Sequence, residues 1–224
     1  MKKLLIILLL FTGCKKSESQ EVRLNKPYSI ICDGNSIVEG YPLLNGSYAK
    51  YITKDLNIPI RNLGIGGYST TQLIDTGARI DRIQHLDTNY ILVLDEGRND
   101  IYKGAQGIEA YENYKTYCAA RKAHNPNLKI VLCIPTPSAY VDPIEMTILR
   151  MALIDDFKKT RDTLIYTDSY YADILVDLQS DSLIGYSTAY NDYLYYCDLI
   201  HHTEFGSEVR AKNIERGIKL LLNY

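Results

Sequence analysis

Five short apolar runs, at residues 28–32, 58–63, 90–94, 129–134 and 164–167, recur along the chain with helix-patterned sequence between them. Runs of this length suit strands. Strands that alternate with helices need crossover connections, which set the strands parallel and put helices on both faces of the sheet. The intervening segments fit. Tyr48, Ile52 and Leu56 fall at i, i+4 and i+8 in a helix over 47–56, and residues 70–83 follow the capping residue Ser69. Ile108, Tyr111, Tyr114 and Cys118 make another apolar face. Asp142-Pro143-Ile144-Glu145 combines a cap, a proline at the first helical position and a carboxylate three residues past the cap. Phe205, Val209, Ile218 and Leu222 stripe the last helix. The expectation is a single α/β domain over 27–224, a three-layer α/β/α sandwich on a five-stranded parallel sheet, without internal repeats.

Residues 168–197 are the least regular stretch, with a short helix over 172–178 and loop elsewhere. Eight of the 20 tyrosines lie between Tyr166 and Tyr196, in a chain with no tryptophan. Such rings either pack a surface loop down or form a binding wall suited to sugar rings or acyl chains.

The first residues stand apart from this pattern. Lys2-Lys3 precedes an apolar run from Leu4 to Phe11, too short to span a bilayer as a mature helix and typical of an export signal. Phe11-Thr12-Gly13-Cys14 resembles the lipobox of bacterial lipoproteins, although phenylalanine is an unusual residue in its place. The resemblance implies a signal peptide over 1–13, lipid attachment at Cys14 and a polar tether over 14–26. The product would be an exported lipoprotein of the cell membrane or outer membrane, periplasmic or surface-facing, which meets the membrane only through its N-terminal lipid. A plain secretory signal is the alternative. The twelve residues after Cys14 reach at most roughly 40 Å.

Formal charge is −2. Without Lys2 and Lys3, 23 basic residues face 27 acidic ones, a charge of −4. No basic cluster interleaves with aromatics, which argues against nucleic acid as a partner. Cys32 and Cys133 lie inside apolar runs. With Cys118 and Cys197 they show no framework spacing, so all four read as small buried hydrophobes rather than disulfide partners. His85, His124, His201 and His202 form no metal-ligand pattern with them, and no cofactor is implied.

Ligands bind at the carboxyl ends of strands in open α/β sheets, and four stretches fall there. They are Asp33-Gly34-Asn35-Ser36, the glycine-rich Asn62 to Thr70, Gly97-Arg98-Asn99-Asp100, and Asp198-Leu199-Ile200-His201. Each alone is an ordinary turn or helix start. The glycine pattern is neither G-x-G-x-x-G nor a P-loop, and G-x-S-x-G fails because residue 38 is valine.

Together the four stretches resemble the SGNH (GDSL-type) hydrolase family, serine esterases and lipases on a flavodoxin-like sandwich. That family carries a serine, a glycine, an asparagine and an Asp-x-x-His pair in this chain order, matched here by Ser36, Gly67, Asn99 and Asp198 with His201. The resemblance spans essentially everything after the tether. It implies Ser36 as nucleophile, His201 as base and Asp198 as its orienting partner. The N–H groups of Ser36 and Gly67 and the Asn99 amide are then the oxyanion donors. These residue types suit the work, since a serine hydroxyl needs a base and a developing oxyanion needs preset donors.

Two positions depart from the family. Asn35 stands where aspartate is usual, losing charge while keeping hydrogen-bonding capacity. Arg98 stands where a small residue is usual, either touching an anionic or hydroxyl-rich substrate or pairing with Asp95 and Glu96 in solvent. His202 lacks the Asp-x-x-His spacing and reads as a helix-start or surface histidine, and His85 and His124 as structural. A glycosidase using Asp33 with Glu96 or Asp100 would leave Ser36, Asn99 and His201 without a role. The expectation is a serine esterase acting on carboxylic esters, carbohydrate O-acetyl esters among them, through an acyl-serine intermediate. A lipase or thioesterase of the same family and a non-catalytic glycan-binding lipoprotein are the alternatives.

Overall fold

The computed structural model describes residues 27–43, 47–85 and 88–223. The expected signal peptide, lipid attachment at Cys14 and tether fall outside the described residues. Among those described, no helix is long and apolar enough to cross a membrane.

Five strands run parallel in the order β2-β1-β3-β4-β7: β1 (Tyr28–Gly34), β2 (Ile60–Asn62), β3 (Asn89–Asp95), β4 (Lys129–Ile134) and β7 (Ile174–Asp177). Two short strands, β5 (Lys158–Lys159) and β6 (Ile165–Thr167), extend the sheet antiparallel beyond β7. The sheet therefore has seven strands and not the expected five. The run at 164–167 is an antiparallel strand, and the stretch expected to be a helix at 172–178 holds the fifth parallel one. Ile174 to Asp177 are all buried. Three apolar residues followed by an aspartate carry no period to separate a buried strand from a helix.

Strand residues alternate between two cores. Ile31, Leu92, Leu94, Ile130, Leu132 and Leu175 face α3 (Thr70–Thr76), α4 (Ala78–Asp81), α6 (Gly107–His124) and α7 (Pro143–Asp155). Ile30, Cys32, Ile91, Val93, Val131, Cys133 and Val176 face α1 (Ser36–Glu39), α2 (Ala49–Leu56) and α8 (Glu204–Leu222). The short α5 (Arg98–Tyr102) follows β3. Burial on both faces is why the strands read as unbroken apolar runs. Cys32, Cys118 and Cys133 are buried and free, whereas Cys197 is exposed and free. On α8, Ile218 of the expected stripe is buried with Ala211 and Ile214, and Val209 and Leu222 pack against buried clusters, while Phe205 is 50% exposed against Tyr195, so the stripe holds except at its first residue.

Helix starts follow the local chemistry. Asp142 accepts the Ile144 N–H at 2.8 Å to cap α7. Glu145, placed to complete that cap, instead accepts the Gly107 N–H at 2.6 Å and so joins the starts of α6 and α7. The single helix expected over 70–83 is broken at Gly77 into α3 and α4.

His202 is the main departure from the sequence expectation. It is 3% exposed, with its ring 4.5 Å from that of Tyr196 and neither nitrogen hydrogen-bonded among the described residues. Surface placement is excluded. Burial, then the positive charges of Arg210 and Arg98 and the neighbouring His201, push its pKa well below the ordinary histidine value. A buried neutral histidine takes up a proton only on unfolding, so its contribution to stability declines as pH falls below about 6.5. The slope is at most about 1.4 kcal/mol per pH unit. Replacing His202 with phenylalanine should therefore shrink the loss of stability between pH 7 and pH 5, read from denaturant midpoints at each pH. A variant with the wild-type pH dependence would contradict this.

Candidate active site

The serine loop is built by β1. Gly34 pairs with Asp95 of β3, and its φ of +151° leaves no room for a side chain. A Cβ there would meet the Asp95 carbonyl oxygen and approach Val38 Cγ2 to 2.6 Å. The chain then turns into α1, whose cap is Asn35: its side-chain oxygen accepts the Ile37 N–H at 2.9 Å. An amide oxygen does this as well as a carboxylate, so the missing charge at residue 35 leaves the turn intact. Ser36 is the first residue of α1, and its N–H has no acceptor among the described residues.

The glycine loop lies beside it. Asn62, at the end of β2, donates to the Val38 carbonyl at 2.6 Å and accepts the Gly64 N–H at 3.0 Å, which ties this loop to α1. Gly67 has φ +75°, open space where a Cβ would be, and an N–H without an acceptor among the described residues. Lys103 Nζ holds its carbonyl at 2.6 Å.

Asn99 sits in α5 just past β3. Its backbone N–H donates to Glu96 Oε1 at 3.1 Å, and its side-chain amide donates to the Tyr68 carbonyl at 2.6 Å. That bond fixes which way the amide points and leaves its second hydrogen free. Arg98 is 3% exposed, not solvated. Its guanidinium donates to the Thr136 carbonyl at 2.6 Å, the Thr136 hydroxyl at 2.7 Å and the Ile200 carbonyl at 3.2 Å. The side chain thus straps the end of β4 to the loop that carries His201, while also lining the site cavity.

Asp198 and His201 form a closed turn with Leu199 at φ +68°. The backbone N–H groups of His201 and Ile200 donate to Asp198 Oδ1 at 2.7 and 3.2 Å, and His201 Nδ1 lies 2.7 Å from Oδ2. Partial burial works against a charged Asp198. The bonds from the His201 backbone and ring, with the Ile200 N–H, outweigh it and hold the carboxyl below its ordinary pKa. His201 Nε2 is 2.9 Å from Ser36 Oγ. With Nδ1–H directed at a carboxylate, the tautomer that follows leaves a lone pair on Nε2 facing the serine hydroxyl.

Ser36, Gly67, Arg98, Asn99 and His201 line one cavity of about 170 Å³. Residues that the sequence did not single out complete it. Tyr102, Ser138, Tyr140, Val141 and Ile200 contribute walls, and the Tyr41 ring packs edge-on against His201 at 4.8 Å. Tyr41 lies five residues from Ser36, but no periodicity or spacing marks it.

The alternative carboxylates are committed elsewhere. Asp33 is fully buried against Arg79 and Tyr117, Asp100 accepts the Thr70 N–H and hydroxyl at 2.8 and 2.9 Å, and Glu96 holds Asn99. None of the three lines the cavity. His85 and His124 face a separate cavity that shares no residue with it. Among the described residues, no group of three or more His, Cys, Asp or Glu side chains could hold a metal ion.

Residues 32–209 match the model of the GDSL-like lipase/acylhydrolase family. Solved structures with the same fold include a member of the lipolytic protein G-D-S-L family from Veillonella parvula, at 16% identity and TM-score 0.61, covering 83% of this chain and 95% of that one. Another is the psychrotrophic esterase EstA from Pseudoalteromonas sp., whose description includes inhibition by monoethylphosphonate. It has 16% identity and a TM-score of 0.65, covering 88% and 99% of the two chains. No curated protein matches the chain. With a family match across most of the domain and an α/β sandwich shared with these structures, the chain belongs to the GDSL-like lipase/acylhydrolase family and is an ester hydrolase.

Proposed function

We propose that the protein is a serine esterase in which Ser36 attacks the acyl carbonyl of a carboxylic ester. The observation that carries this reading is the unbroken chain from Asp198 through His201 to Ser36, at 2.7 and 2.9 Å, opening into a cavity with Gly67 and Asn99. His201 Nε2 takes the serine proton as the Oγ–C bond forms. Asp198, kept ionised, stabilises the imidazolium. The carbonyl oxygen becomes an oxyanion that accepts from the unpaired N–H groups of Ser36 and Gly67 and the free amide hydrogen of Asn99. As the intermediate collapses, His201 gives its proton to the departing alkoxide, leaving an acyl-serine. A water deprotonated by His201 then attacks the acyl carbon and releases the acid.

A cavity of about 170 Å³ lies below the roughly 300–1,000 Å³ usual for drug-sized ligands, which favours a short acyl group such as acetyl. The non-catalytic reading drew on Asn35. Since Asn35 caps α1, that residue supplies no argument for lost activity. The lipobox-like Phe11-Thr12-Gly13-Cys14 supports an exported protein anchored through lipid on Cys14.

Ser36→Ala should abolish turnover of a short-chain aryl ester. Wild-type protein without serine-dependent activity on any acyl ester would instead favour a binding role. Asn99→Ala should lower kcat by about 10²–10³ with KM little changed. An unaltered kcat removes Asn99 from the oxyanion site. Cys14→Ser should move the protein out of the membrane fraction and abolish incorporation of labelled fatty acid. A variant that still takes up label would refute the anchor.

A further inference from the structure

A second cavity of about 340 Å³ adjoins the first, and the two share Ser138 and Val141. The segment between them belongs to the histidine side of the site, because the Ala139 N–H donates to the Leu199 carbonyl at 3.3 Å. In the proposed reaction His201 protonates the leaving alcohol, so the alcohol must lie on that side. Whatever is attached to the alcohol oxygen then extends past Ser138 and Val141 into the larger cavity.

The chemistry of that cavity is specific. Arg150 is held by Asp177, with Nε 3.1 and 3.0 Å from its two oxygens and Nη2 at 2.7 Å from one of them, and it also donates to Ser180 at 2.8 Å. Its Nη1 has no acceptor among the described residues, yet the pairing with Asp177 neutralises its charge. A carboxylate or phosphate would find little net attraction there. Gln179 donates its amide hydrogen to the Pro135 carbonyl at 3.1 Å, which leaves its side-chain oxygen as an acceptor. The Ser138 hydroxyl is buried without a partner among the described residues. Tyr186 and Tyr190 also line the cavity, with apolar surface from Pro137, Val141, Pro143 and Met146. Fixed donors and acceptors beside tyrosines and apolar side chains, with no net charge, fit a neutral ring that carries several hydroxyls on its edge and C–H groups on its faces. We infer that this cavity is the alcohol subsite and that it takes a pyranose-sized sugar, so that the enzyme removes short acyl groups from carbohydrate hydroxyls.

This inference rests on the serine-esterase reading, and it can be tested beside that reading. Thr147 lies on the exposed face of α7 at the cavity wall, remote from Ser36 and His201 in the chain, and Thr147→Trp would fill the space. Turnover of an acetylated methyl hexoside should be compared with that of ethyl acetate, which presents the same acyl group, and with that of ethyl decanoate. In Thr147→Trp, kcat/KM for the hexoside should fall at least about tenfold, while ethyl acetate is unaffected. Tyr190→Ala should act in the same direction. An unchanged ratio of the two acetates would overturn the inference, as would a selective loss of decanoate turnover, which would assign the cavity to the acyl chain. Ligand-observed NMR of the unacylated methyl hexoside with Ser36→Ala protein provides a readout free of catalysis. Binding that disappears in the Ser36→Ala/Thr147→Trp double variant supports the subsite even if no ester is turned over, a result that would refute the esterase reading alone. Absence of hexoside binding refutes the subsite.

Discussion

The parallel pairing of β1 with β3, which sets Gly34 opposite Asp95, is the constraint on which the rest of the site depends. Parallel strands deliver all their carboxyl ends to one edge of the sheet, and these two are neighbours inside it, between β2 and β4. Each is followed at once by a helical turn, α1 with Ser36 at its first residue and α5 with Asn99 at its second. The proposed nucleophile and the side-chain donor proposed for the oxyanion therefore start from adjacent strands whose carboxyl-terminal halves are buried. Their separation is set by ladder spacing and not by loop conformation. Glycine at residue 34 permits that closeness, since any Cβ would be driven into the neighbouring strand.

Histidine reaches the site from the other end of the chain, 165 residues after the serine. A loop brought from so far could take many positions. Two bonds from different elements restrict it: Arg98 to the Ile200 carbonyl, and the Ala139 N–H to the Leu199 carbonyl. Arg98 precedes Asn99 directly, so one short helix sets the amide and steadies the imidazole. A residue atypical for the family has become a strut. Its three hydrogen bonds to the Thr136 and Ile200 oxygens offset much of the cost of burying a guanidinium, as does the nearness of Asp95 and Glu96.

The family, the sandwich and the four site blocks were legible in the sequence because each block is local. A cap, a positive-φ glycine or an Asp-x-x-His turn is written within a few residues, and the structure brings all four blocks to one cavity. What could not be read depends on contacts between distant residues. His202 looks like a surface histidine until Tyr196, Arg98 and Arg210 close around it. Glu145 has the position for a capping box but bonds to Gly107, 38 residues away. Ile174 to Asp177 are too few to show a period, and the antiparallel addition of β5 and β6 depends on a return that no local signal announces. Of the eight tyrosines between Tyr166 and Tyr196, Tyr166, Tyr171, Tyr195 and Tyr196 are buried while Tyr170, Tyr186 and Tyr193 are exposed. Both readings of that stretch thus describe part of it.

The two ends of the sheet are short and charged. β2 contributes three residues with Arg61 exposed, and β5 contributes two, both of them exposed lysines. An open sheet edge is a template onto which another chain can add a strand, and neither border offers a run long or apolar enough for that. Copies crowded together, or caught partly unfolded, would meet cationic stubs in place of an edge open to polymerisation. The antiparallel turn-back after α7 therefore closes the sheet to strand addition as well as widening it.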